Sequence, residues 1–147
     1  MNFPSPSHPL SFAGLPIYFQ NAVGRLLEHP AGYIVFQYHA GKRALADFQA
    51  LLTHTGQLLR RRGWQRILAD QRLMTPFTEA ETAWVTSFWL DPANQPPGGL
   101  HAAVMLADDV FARLATNTMR ETLQSAALTY RLFKDEATAT AWLMQVG

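Results

Sequence analysis

The chain of 147 residues is 48% hydrophobic and 16% charged, with 12 basic residues against 11 acidic ones and no cysteine. These proportions exclude a disordered chain and allow one domain to bury a sizeable core. A net charge of +1 supplies no field that would gather nucleic acid or an anionic membrane. The missing cysteines remove disulfides, thiolate nucleophiles and thiolate metal sites.

Pro4, Pro6, Pro9 and Pro16 lie among Ser5, Ser7 and Ser11. That stretch has neither helical nor strand period, so residues 1–16 are expected to form an extended arm ahead of one domain over 17–147. No basic stretch leads into an apolar core near Met1, and no run of about 18 apolar residues occurs anywhere, which predicts a cytoplasmic protein.

Strand patterning begins at Ile17-Tyr18-Phe19 and continues from Val23 to Glu28 and from Tyr33 to His39, with His29-Pro30-Ala31-Gly32 as the turn of a hairpin. In the last segment Ile34, Phe36 and Tyr38 share one face, and Tyr33, Val35, Gln37 and His39 share a more polar one. After Gly41 the period changes. Leu45, Phe48, Leu51, Leu52, Leu58 and Leu59 predict a helix over 44–61, and Arg60-Arg61-Arg62-Gly63 closes it with cations at the negative end of the dipole and a glycine able to turn left-handed.

Ile67-Leu68-Ala69-Asp70 reads as a buried parallel strand ending in an acid. Beyond a polar loop, Thr78-Glu79-Ala80-Glu81 has capping-box spacing and opens a helix over 79–90 that carries Trp84, Val85, Phe88 and Trp89. The breaker-rich stretch 91–99 is a surface loop. Ala102 to Leu106 predicts a central strand, Asp108-Asp109 the acidic start of a helix over 110–123, and Ala127 to Phe133 a further strand. Asp135 caps a final helix over 136–146. A hairpin followed by α-β-α-β-α-β-α is an α/β fold, expected to form a mostly parallel sheet of four or five strands with an N-terminal β-hairpin and four helices.

Two groups of strings carry a resemblance. Gly63-Trp64 runs into Ile67-Leu68-Ala69-Asp70-Gln71-Arg72, and Tyr130-Arg131-Leu132-Phe133-Lys134-Asp135-Glu136-Ala137 is followed by Ala141-Trp142-Leu143. With the element order, these resemble the SpoIIAA-like family, small domains related to the anti-sigma factor antagonist (STAS) fold and to a lipid-binding fold, over about residues 17–146. The resemblance implies a helix-backed sheet, frequent self-association and, for most members, no assigned activity. Where phosphorylated antagonists carry a serine in an Asp-Ser-Ser-Gly-like string, this chain has Met74-Thr75-Pro76-Phe77-Thr78. Thr75 and Thr78 are the hydroxyls of that region and the candidate phosphorylation positions.

Ligands of parallel sheets bind beyond the carboxyl ends of the strands, which nominates Asp70, Gln71, Arg72, Thr75, Thr78, Asp108 and Asp109. Trp84, Phe88 and Trp89 on one short helix, with Trp64 near the strand Ile67 to Asp70, exceed what one helix face needs and are the candidate contact surface. His8, His29, His39, His54 and His101 show no ligand spacing, and Ser87 and Ser125 lack the setting of a nucleophile. The expected function is therefore a homodimeric, non-catalytic binding or regulatory module acting on a protein through the second helix and its preceding loop, without cofactor, metal or nucleic acid. A carrier of a small apolar or amphipathic ligand is the alternative, and an enzyme using Asp70 and Arg72 comes after it.

Overall fold

The computed structural model describes residues 12–106, 113, 114, 117 and 128–146. Six strands form one mixed sheet in sequence order: β1 (Ile17–Gln20), β2 (Gly24–His29), β3 (Tyr33–Tyr38), β4 (Arg66–Asp70), β5 (Leu100–Met105) and β6 (Leu128–Phe133). β1, β2 and β3 are antiparallel neighbours, whereas β3 to β6 run parallel. The sheet thus has six strands where four or five were expected. Ile17–Gln20 is long enough to extend the hairpin by one more antiparallel partner.

Helix α1 (Leu45–Arg62) follows β3, α2 (Glu79–Leu90) follows β4, and α3 (Glu136–Leu143) follows β6. These bounds lie within three residues of the sequence expectation because the end signals are local. Gly63 ends α1 at φ 69°, and the Trp64 amide donates to Leu59 O at 3.0 Å. Thr78 and Glu81 form the reciprocal capping box, and the Asp135 carboxylate accepts from the Thr138 amide at 2.8 Å. Of the helix expected over 110–123, Arg113, Leu114 and Asn117 are described and are helical. The remainder, with Asp108 and Asp109, lies outside the described residues, as does most of the arm.

Both sheet faces are covered. On one, α1 and α2 close over Leu26, Ile34, Phe36, Tyr38, Ile67 and Val104. On the other, α3 lies across β4, β5 and β6 and buries Ala139 and Leu143 against Val35, Leu68, Ala103 and Met105. All six residues of β3 are buried. The expected polar face is instead a second core, because the last helix crosses to the side that the other two leave open.

Gly24 is required by a close approach: a Cβ there would stand 2.4 Å from the Gln37 carbonyl oxygen. No described helix is long and apolar enough to cross a membrane.

Candidate functional site

The carboxyl ends of the parallel strands hold two buried charge clusters, one on each side of the sheet. On the α3 side, Asp70 ends β4 and is 3% exposed. Its Oδ1 accepts from Arg72 Nε at 2.8 Å and from the Arg72 amide at 3.2 Å, and its Oδ2 accepts from Arg72 Nη2 at 2.9 Å and Gln37 Nε2 at 3.2 Å. Gln37 is the register partner of Asp70, and its Oε1 accepts from Arg25 Nε at 2.7 Å. At the far end Arg72 Nη2 stands 3.9 Å from Glu136 Oε1. A polar chain therefore links β2, β3, β4 and α3.

Each Asp70 oxygen already accepts two hydrogen bonds, and the Arg72 fork is aimed back at it, which is the strong bidentate geometry for this pair. Neither oxygen is left to take a proton from a substrate. The arrangement ties strand ends together and sets the direction in which the chain leaves β4.

The second cluster lies on the α1–α2 side. The Arg43 and Glu81 side chains are each 3% exposed and meet at 2.8 Å, Nε to Oε2. Arg43 Nη2 also donates to Glu81 Oε1 and to the Pro76 carbonyl oxygen, both at 2.9 Å, and the guanidinium lies 5.3 Å from the centroid of Phe77. Glu81 Oε1 accepts the Thr78 amide at 2.8 Å, while Thr78 Oγ1 accepts the Glu81 amide at 3.1 Å. Burial alone would raise the Glu81 carboxyl, but the Arg43 guanidinium and the Thr78 amide outweigh it and hold the group below its ordinary value. The Thr75 hydroxyl donates to the Gly41 carbonyl oxygen at 2.5 Å. The loop 71–78 is thus fastened to the segment that leads into α1.

The residues nominated from sequence do not converge on one pocket. Asp70 and Arg72 belong to the first cluster. Thr75 and Thr78 border the second, exposed at the surface yet with both hydroxyls already engaged. Arg43 and Gln37 carried no motif and escaped sequence reasoning. Glu81 was visible only as half of a capping box, and an arginine two residues before an apolar helix was the sole hint of its partner.

The aromatics of α2 are core and rim. Trp89 and Val85 are buried, and Trp84 and Phe88 are partly covered and packed against the same cluster. Trp84 stacks on Phe88 at 5.1 Å between centroids, and Phe88 meets Trp89 edge-on at 4.9 Å. Gly56 on α1 admits the Phe88 ring, whose Cζ would be 3.4 Å from a Cβ there. Beneath them is a cavity of about 30 Å³ lined by Phe36, Tyr38, Phe77, Trp89 and Tyr130 among others. That is room for about one water. Burial pushes the Tyr130 phenol up to about 12 and the Tyr38 phenol well above its ordinary value.

The apolar side chain that the loop presents is Leu73, 51% exposed between the two clusters in sequence. Two arginines of the basic run are engaged elsewhere: Arg60 donates to the Ala93 carbonyl oxygen at 3.1 Å, and Arg62 pairs with Glu28 at 2.8 Å. Among the described residues no three His, Asp or Glu side chains converge. No protein-family model matches the chain, and no curated protein matches it.

Proposed function

We propose that this chain is a non-catalytic binding module of the SpoIIAA-like kind that its strings resemble, acting in the cytoplasm as a homodimer and meeting a protein partner through the loop 71–78 and α2. The hairpin followed by alternating helices and parallel strands agrees with that reading over the described residues. The observation that carries it is the use made of the polar groups. Asp70, Arg72, Arg43 and Glu81 are buried and engaged with one another, while Leu73 stands out on the loop they brace. An apolar side chain on a preorganised loop loses little conformational freedom on binding, which favours a contact surface. Leu45, also exposed, lies two residues beyond Arg43.

A carrier would need an enclosed volume of several hundred Å³; the cavity beneath α2 is about 30 Å³, and the grooves of about 350–370 Å³ beside Trp64 and beside Leu132 are open to solvent. An enzyme using Asp70 would need one of its oxygens free.

The test is site-specific photocrosslinking in the cells that make the protein, with benzoylphenylalanine at Leu73 and, as a control, at exposed Thr53 on α1. A discrete protein adduct is expected at Leu73 and not at Thr53. Equal background at both positions would overturn the reading. So would native mass spectra in which the purified chain retains a stoichiometric small molecule, which would favour the carrier.

A further inference from the structure

The sheet has two edges, and they differ. β1 is four residues long, follows Pro16 and has its register shifted between Ile17 and Phe19; short, bulged edges of this kind resist pairing with another strand. β6 is six residues long, in unbroken parallel register with β5 and without proline, and no strand lies beyond it among the described residues.

Hydrogen-bond direction shows which groups β6 offers. The Phe133 carbonyl oxygen accepts from the Leu106 amide at 3.0 Å, so Phe133 faces β5. Both backbone groups of one strand residue point to the same side, and the side alternates along the strand. Thr129 and Arg131 therefore bond inward with Phe133. The amides and carbonyls of Leu128, Tyr130 and Leu132 point outward.

We propose that this edge receives β6 of a second copy of the chain, antiparallel and centred on Tyr130. In that register Tyr130 exchanges both backbone bonds with its twofold mate, and Leu128 does so with the mate of Leu132, giving about six hydrogen bonds across the seam. The strand is self-complementary in its side chains as well. Leucine opposes leucine and tyrosine opposes tyrosine on the α1–α2 side, and on the α3 side Thr129 opposes Arg131, so the two arginines are not placed directly across from each other. The neighbouring register centred on Arg131 would pair the outward groups of Tyr130 with those of the mate of Leu132, giving fewer bonds within the strand, and would set the two arginines directly opposite each other. The proposal deepens the homodimer part of the reading above by placing the seam away from the loop 71–78, which stays free for a partner.

The test uses the full chain. Sedimentation velocity should give twice the 16.5 kDa of one chain across micromolar concentrations, and hydrogen exchange should show the amides of Leu128, Tyr130 and Leu132 becoming protected as concentration rises. The chain lacks cysteine, so the double variant Thr129→Cys, Arg131→Cys reports the register directly. Its opposed positions fall about 4.5 Å apart across the seam, within reach of a disulfide, whereas on one strand they stand about 7 Å apart. Both side chains are exposed, so the folded state should tolerate the change, and a covalent dimer should form on mild oxidation. A monomer at every concentration would overturn the proposal. So would a dimer with those three amides unprotected and the double variant uncrosslinked, a result that leaves the Leu73 crosslinking outcome standing by itself.

Discussion

Replacing Arg43 with methionine keeps much of the side chain's volume and leaves the buried Glu81 carboxylate without its cation. Removing one member of a buried pair costs about 3–5 kcal/mol, mostly because the remaining charge is uncompensated. Glu81 keeps its bonds with Thr78, which places the expected loss near the low end, about 3 kcal/mol. For a domain of this size, that lowers Tm by roughly 6–12 °C.

The sign of the pH dependence follows from the carboxyl. In the native chain the Glu81 group is held below its ordinary 4.5, so its stabilisation is complete above that value and is lost as pH falls through the lowered native one. In the Arg43→Met variant only the Thr78 bonds still oppose burial, so the carboxyl rises relative to the native chain, and the variant's deficit is greatest near neutrality and shrinks as acid neutralises Glu81. Urea denaturation followed by tryptophan fluorescence at neutral and acid pH measures both quantities. The double variant Arg43→Met, Glu81→Gln should recover much of the loss, since glutamine still completes a capping box. A loss below about 1 kcal/mol at neutral pH, or a deficit that does not change with pH, would refute the reasoning.

Asp70→Asn should cost about 2–4 kcal/mol in chemical denaturation, because it removes the charge and one of the two acceptor oxygens that the Arg72 fork meets beneath α3; an unchanged midpoint would show that this polar chain does not brace the strand ends. Tyr130 is neutral up to about 12 in the native chain against an ordinary 10.0, so its contribution is present below pH 10 and is lost as pH rises toward 12. The expected loss is on the order of 2 kcal/mol, and Tyr130→Phe should flatten that alkaline slope in urea titrations; the same slope in both proteins would count against burial of the phenol.

The elements were legible because their signals are local. The capping box at Thr78, the glycine after Arg62 and the cap at Asp135 act within a turn of the chain, and each terminates or starts the helix that the sequence expects. The strand Tyr33–Tyr38 was readable as a strand, but not as one buried on both faces. Alternation reports only relative polarity, and Gln37 made one face look wet until Asp70 and Arg25 were found to satisfy its amide. The candidate site was half legible. Position at a strand's carboxyl end nominated Asp70 and Arg72 correctly as neighbours, yet their role depends on Gln37, which comes from another strand. Arg43 and Glu81 are 38 residues apart, and no periodicity connects them. Trp84 and Phe88 looked like a surplus of aromatics because the small residue that admits Phe88, Gly56, sits on a different helix.

The crossing of α3 to the far side of the sheet affects how the chain matures. Val35, Leu68, Ala103 and Met105 share a core with Phe12 from the start of the described chain and with a helix that begins at residue 136, so during synthesis this side of the sheet lacks the cover of α3 until that helix has cleared the ribosome. At about 5–20 residues per second, the interval between emergence of β4 and of Leu143 lasts several seconds. Arg66 then closes the structure by gripping the Leu143 carbonyl oxygen at 2.8 Å and the Ala31 carbonyl oxygen at 2.6 Å. The early hairpin and the helix α3 are thereby fastened by one side chain, so the second core closes only once residues more than a hundred apart in the chain have met.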